Sequence, residues 1–545
     1  MIVTPAPPTA PKKLEIEEIA AAVRDRFGPA VLLSRGQRGV VLSVSLLEPT
    51  TLPPISKMLF WDMGCSFGGI VVEELKGKWR LSYLFLSAGC GWVEVLVEAP
   101  STVSALPSIS SEVHAADWHE REAEDLFGLR FEGHPRLGDF ILHDQMWPEG
   151  VAPHRKLHRE LIDVHQEHFR RRPNSEWRPL LVVQDPGAFA MPVGPIYEGG
   201  LGQSVHFLLE TVGEDVVRAV PRLFYNFRAV EKIAEEQPVS RVLLLAERFA
   251  ATSSFAHSLA FCLAVERISS TQVPARTKNL RILLSELERL RHHAGAITGI
   301  CESTALSVAA SQAAIVEERL LRASCQFTGH RYLFGLNTPG GLRRDFSAES
   351  CTELLKAIDR AVTDLHSLED GLYFTSSFLD RLEDVGIVDP EKARDLNFVG
   401  PVGRASARSG DLRCDCPYEG YETYQFEVPR EIEGDGYARL RILFQEAYQS
   451  ARLVLQAARR LEPGQISTPY ESLSGGVALG WVEAPIGPAL HWLRLDASGL
   501  VERYRVITAS FNNWLGFRVA VEDFAFQDFP IILASFGLSP TECDR

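Results

Sequence analysis

Apolar positions recur at helical spacing through long stretches of the second half of the chain. In NLRILLSELERLRHHAGAI, residues Leu280, Leu283, Leu284, Leu287 and Leu290 fall on one face of a helix. The segments ESCTELLKAIDRAVTDLHSLEDGLYF and GYARLRILFQEAYQSARLVLQAARRLE obey the same rule, so three long helices are predicted. FAHSLAFCLAVERI is apolar nearly all round, which places it inside the bundle. The N-terminal part reads differently. Residues 14 to 27 predict a short amphipathic helix, and VLLSRGQRGVVLSVSLLEP and WRLSYLFLSAGCGWVEVLVEAP carry the β-branched and aromatic content of strands. Alternation returns in GGVALGWVEAPIGPALHWLRLDASGLVERYRVITAS. The expected class is therefore α+β: a small N-terminal α/β domain over 1–165, a linker over 166–185 around RRPNSEWRP, and a large helical-bundle domain with peripheral β-strands over 186–545. No internal repeat is present.

At 545 residues the chain is long enough for several ordinary cores, and 46% hydrophobic residues supply them. A net charge of -15 with no basic stripe argues against nucleic acid as a partner. The opening MIVTPAPPTAPKK lacks the apolar core of a secretory signal, and no apolar run reaches the roughly 18 residues that span a bilayer. Nine cysteines, odd in number and scattered, read as reduced thiols. The expected compartment is the cytoplasm. Eight of the fifteen His lie between His114 and His168, but their spacing makes no tight ligand pair for zinc. Cys414 and Cys416, a lone C-x-C, read as packing residues.

Two motifs carry more information. HEREAEDLFGLRFEGHP resembles the signature of the small hydrophilic complex I subunit, with Glu120, Arg121, Glu122, Asp125, Phe127, Phe131 and His134 at the family positions. From Val193 onward, VGPIYEGG, FYNFRAVEKIAE, FAHSLAFCLAVER, PARTKNLRILLSELERLRHH, PGGLRRD, GPVGRASARSGDLRCDCPYEGY and ASFNNW resemble the large subunit shared by complex I and by energy-converting NiFe hydrogenases of the formate hydrogenlyase type. The fusion, with FAHS in the buried helix, favours the hydrogenase branch.

The resemblance implies a metal cradle built from two Cys-x-x-Cys pairs, since nickel and iron need soft thiolates. Here the first pair falls on Ala250 and Ser253 and the second on Ser539 and Glu542; a one-residue shift of the tail would place it on Thr541 and Cys543. These are remnants of ligand positions. The resemblance also directs Tyr197, Glu198, Gln203, His206, Arg248, His257, Arg404 and Arg413 toward the former cavity, although His257 also reads as a core histidine and the arginines as partners of carboxylates. Ile486 stands where the family's Pro-Arg-Gly-Glu step has its arginine. The HEREAEDLFGLR charges read as a subunit-joining segment. Together these imply a non-metallated, hydrogenase-like large subunit with no cofactor of its own, packed against an iron–sulfur subunit and complex I-like membrane-arm subunits, peripheral on the inner face of the cell membrane. The alternative is an active site for a quinone or another small acceptor in the remodelled cavity.

Overall fold

The computed structural model describes residues 14–36, 38–103, 105–135, 152–156, 187–194, 205–470 and 475–545. The expected linker, together with Tyr197, Glu198 and Gln203, lies outside the described residues. Helix α1 (Ile16–Phe27) forms where its pattern predicts, with Ile19 and Val23 turned inward. Five strands follow: β1 (Val31–Arg35), β2 (Val40–Leu46), β3 (Ser66–Leu75), β4 (Lys78–Ser87) and β5 (Gly91–Pro100). They form one sheet in the order β1-β2-β5-β4-β3, parallel only between β2 and β5.

Successive side chains of a strand point to opposite faces, and both faces of this sheet are covered. Ile70, Val72, Tyr83, Phe85 and Val93 join one apolar core, while Val71 and Leu84 join another that is built mainly from the bundle helices. The N-terminal unit is thus packed into the rest of the chain. Helix α2 (Asp117–Phe127) carries the HEREAEDLF motif and ends at Gly128 in the left-handed region.

A second sheet, which the sequence pattern did not single out, contains β6 (Ala188–Val193), β7 (His206–Val212) and β8 (Asp215–Arg222). The bundle comprises α3 (Val239–Arg248), α4 (Ser254–Ser269), α5 (Ala275–Ser303), α6 (Ser307–Thr328), α7 (Ala348–Tyr373) and α8 (Gly436–Arg459). The long predicted helices are all present. Strands β9 (Gly476–Ala484), β10 (Gly487–Leu495) and β11 (Val501–Ile507) form an antiparallel sheet against α4. Contact there is close enough to require glycine: a Cβ on Gly480 would lie 1.9 Å from the Ala260 carbonyl oxygen. Helix α9 (Ala509–Val521) follows, its first turn capped by the Thr508 hydroxyl. Among the described residues no single helix is long and apolar enough to cross a membrane.

Candidate functional site

Ser253 stands immediately before α4, its side chain making no capping bond, and His257 lies four residues on, so both side chains share one face of the first turn. The tail approaches that face as a single tight turn, Pro540–Glu542, with Ser539 just before it. Its backbone is pinned from several sides. The Thr508 hydroxyl donates to the Glu542 carbonyl at 3.2 Å, the Ser539 amide donates to the Ser510 hydroxyl at 3.2 Å, and Arg228 donates to the Thr541 carbonyl at 2.6 Å.

This turn brings the Glu542 carboxylate to His257, with Oε1 3.6 Å from Nε2, an ion-pair separation rather than a hydrogen bond. Both residues are almost fully buried. Burial opposes the charge on Glu542, but His257, Ser510 and Ser253 around the carboxylate outweigh it and hold its pKa below the ordinary value. Cys543, the thiol of the shifted register, is also buried; its sulfur reaches the Ser539 carbonyl, and desolvation raises its pKa well above the usual thiol value. It is a protonated thiol at neutral pH. Ala250 is buried, and the Ser539 hydroxyl is engaged with that of Thr541 at 2.8 Å. The four positions of the cradle therefore offer a methyl, two hydroxyls and a carboxylate.

Behind His257 the sheet supplies residues that sequence reasoning missed. His257 Nδ1 is 3.0 Å from His491 Nε2 on β10, and His491 Nδ1 is 2.7 Å from the Tyr504 hydroxyl on β11. Burial, and then His257, push the His491 pKa well below its ordinary value, so this ring is neutral. The only signal in the sequence was a histidine within an apolar strand.

Arg404 and Arg413 do not join this site. A buried guanidinium needs carboxylate partners, and both find them in a separate cluster. Arg404 Nε lies 2.6 Å from Glu446 Oε1 and its Nη1 lies 3.0 Å from Glu483 Oε1, while Arg413 meets Asp411 at 2.7 Å and Glu286 at 3.0 Å. Arg289 completes the group, 3.3 Å from Glu286. Arg248, expected to face the cavity, is instead exposed at the end of α3, beside Glu247 and over the Phe334 ring. His206 opens β7.

The HEREAEDLFGLR segment turns inward. Glu120 accepts from Ser108, Ser110 and the Ile109 amide, and burial raises its pKa to about 7. Arg121 pairs with Asp117 one turn back. Glu122 bridges Arg505 at 2.6 Å and Arg545 at 3.0 Å, and both of these arginines also reach Glu231. Phe127 packs edge-on to Trp79 beneath Arg503, Phe131 is fully buried, and His134 lies near Glu120. Glu122 and Phe127 thus join the N-terminal unit to β11 and the tail of the same chain. Asp125 is partly buried on the same helix.

Among the described residues no group of three or more His, Cys, Asp and Glu is arranged to hold a metal ion. His114 pairs with Asp395 and His119 with Asn512, so neither of these belongs to a zinc site. Cys414 is exposed and Cys416 half-buried, each with its pKa pushed up to about 12 by desolvation.

Residues 47–160 match the family described as respiratory-chain NADH dehydrogenase, 30 Kd subunit, and residues 311–474 match the 49 Kd subunit family. Formate hydrogenlyase subunit 5 of Escherichia coli (strain K12) is 30% identical over 533 residues, covering 96% of this chain and 92% of that protein. The chain belongs to the formate hydrogenlyase subunit 5 family. Within that family it is an oxidoreductase subunit of the complex I-related class, with both units fused in one polypeptide. Hydrogenase-4 component G of the same organism is 28% identical over 541 residues, covering 97% of this chain and 92% of that protein. The C/D subunit of NADH-quinone oxidoreductase from Bdellovibrio bacteriovorus is 28% identical over 479 residues, covering 82% of this chain and 84% of the relative. The 30 Kd match contains the whole of HEREAEDLFGLRFEGHP, whereas Ala250, Ser253, Ser539 and Glu542 lie outside both matched segments.

Proposed function

We propose that this chain is a non-metallated, hydrogenase-like large subunit of a complex I-related oxidoreductase. It packs against an iron–sulfur subunit and couples electron transfer there to ion movement in a membrane arm, as a peripheral protein on the inner face of the membrane. The observation that carries this reading is the Glu542–His257 contact at the meeting point of the two cradle ends. A methyl, two hydroxyls and a hard carboxylate do not fit nickel and iron, which are held by soft thiolates, and the carboxylate is already committed to an imidazole. The nearby Cys543 thiol is protonated. What remains is a buried polar site beside an intact fold, suited to moving charge rather than hydrogen.

Elemental analysis of the intact complex, purified from its own host, tests the proposal. Iron from partner clusters is expected, with nickel far below one atom per chain. Nickel near one atom per chain together with hydrogen-dependent dye reduction overturns it. Cysteines placed at Ala250, Ser253, Ser539 and Glu542 together are expected to leave the complex without hydrogenase activity, because Ile486 still lacks the family's arginine.

A further inference from the structure

Helices α6 and α7 run antiparallel: Arg319 of α6 pairs with Asp364 of α7, and the Thr304 carbonyl just before α6 accepts from Arg381 just beyond α7. Val308 lies eleven residues before Arg319, and Phe374 lies ten residues after Asp364, so the two side chains stand level at one end of the bundle. Phe374 is 81% exposed, Val308 72% and Tyr373 61%, and these are the three most exposed large hydrophobic side chains among the described residues. The Tyr373 and Phe374 rings meet edge to face at 5.2 Å. Ile315, about two turns on from Val308 along the same face of α6, adds a fourth exposed apolar side chain.

Single exposed apolar side chains are ordinary on a protein surface, but a group of them is not. A helix face turned to water normally carries charge. Residues 303–316, which make the turn after α5 and the first half of α6, contain no Asp, Glu, Lys or Arg, whereas Glu317, Glu318, Arg319 and Arg322 follow directly. The uncharged half is the half beside the end of α7. Phe374 and Tyr373 contribute little to the bundle's own core from such exposed positions, and rings of this kind are the residue types that anchor interfaces. We infer that this end of the bundle is a docking surface for another subunit of the complex, covered by a segment that presents an apolar side chain between Lys or Arg residues. The inference extends the assembly proposed above to a particular face, and it rests on that reading only in requiring a multi-subunit complex.

Charge selects this occupant over two others. Exposed carboxylates border the aromatic pair: Glu302 before the α5–α6 turn, Asp370 one turn before Phe374, and Asp380 and Glu383 after it. The Asp370 carbonyl accepts from the Phe374 amide at 3.3 Å, and Glu383 and Tyr373 both lie within electrostatic reach of Tyr437 on α8. Against these acids stands Arg381, which donates to the Thr304 carbonyl at 2.8 Å and faces Asp528. The border is therefore net negative. A second copy of the chain docking through the same patch on a two-fold axis would set these carboxylates against themselves. The anionic inner leaflet of a membrane would be repelled for the same reason. A partner segment edged with Lys or Arg is attracted instead, and the Tyr373 and Phe374 ring faces add sites for its cations.

Photo-cross-linking of the intact complex tests the surface. Phe374→p-benzoylphenylalanine is introduced into the full chain in its own host, the purified complex is irradiated, and the joined peptides are identified by mass spectrometry. Cross-links are expected to one other subunit, at an apolar residue flanked by Lys or Arg. Cross-links only to a second copy of this chain, only to lipid, or to no protein while the complex is intact overturn the inference. The paired change Val308→Asp and Phe374→Asp is expected to weaken retention of that subunit about tenfold or more, and Asp370→Lys to weaken it more at low than at high salt. Because these side chains are exposed, the unfolding midpoint of the full chain should stay at the wild-type value. Retention unchanged in the paired variant, or lost only together with the fold, also overturns the inference. The nickel measurement is independent of these results, so a nickel-free complex without the cross-link leaves the proposed function standing.

Discussion

Glu483 belongs to a cluster in which the four carboxylates of Glu286, Glu446, Glu483 and Asp411 meet the three guanidinium groups of Arg289, Arg404 and Arg413, with the His293 ring 3.0 Å from Glu446. Burial and the nearby Asp411 raise the Glu483 pKa to about 7, against the pull of Arg404 and Arg289, so this residue absorbs the surplus negative charge as a proton. A carboxyl whose folded pKa is raised contributes its full stability below the unfolded value near 4.5 and loses it as pH rises through about 7. Glu483→Gln should therefore remove a downward slope of at most about 1.4 kcal/mol per pH unit in that window. Chemical denaturation of both proteins at several pH values between 5 and 8 checks this, the variant gaining on the wild type as pH rises. Arg404→Met works in the opposite direction. It strands buried carboxylates, and a loss of roughly 3–5 kcal/mol is expected in the same assay. The cradle residues carry a different lesson: the absence of thiolates at Ala250, Ser253 and Glu542 was legible in the sequence, whereas the pairing of Glu542 with His257 was not.

Among the elements, α4 and β9 lie so close that Gly480 has no room for a side chain. Gly480→Ala is expected to push α4 off the sheet at a cost of roughly 1–3 kcal/mol. Because His257 is on α4 and His491 on the neighbouring β10, the variant should also disturb the 15N signals of both rings. Helix α2 shows how a correctly located motif takes on another role once its surroundings are known. Its charges read as a subunit-joining surface, yet Glu122 pairs with Arg505 and Arg545, and Phe127 sits beneath Arg503. Phe127→Ala is accordingly expected to cost about 3–5 kcal/mol in thermal or denaturant unfolding. Retention of wild-type stability with loss of a partner on co-purification would instead place this face at an outer interface.

At the scale of the whole molecule, the two units suggested by the sequence are fastened together by core and charge alike. Arg503 and Arg505 of β11 donate to the Val72 and Ile70 carbonyls of β3, and Arg494 of β10 pairs with Glu73. Val71 and Leu84 share a core with the bundle helices. Calorimetry of the full chain is therefore expected to give one transition for both units. Residues 1–165 produced alone should expose that shared face and bind a dye specific for apolar surface; two well-separated transitions would show that the junction contributes little.

The helices α5, α7 and α8 and the strands of the first and last sheets were legible because burial imposes a period of 3.6 or 2 on neighbouring residues, and that period is written along the chain. The missing cradle thiols were legible for a simpler reason, since a side chain's donor chemistry is part of its identity. Polar partnerships leave no such trace. Whether Arg404 faced a cavity or Glu446, and whether His257 was an idle core residue or a link between Glu542 and His491, depended on which distant segments folding brings together; the two histidines are 234 residues apart. Only the tertiary structure decided them, because a buried charge or imidazole is satisfied by whatever group packing sets beside it.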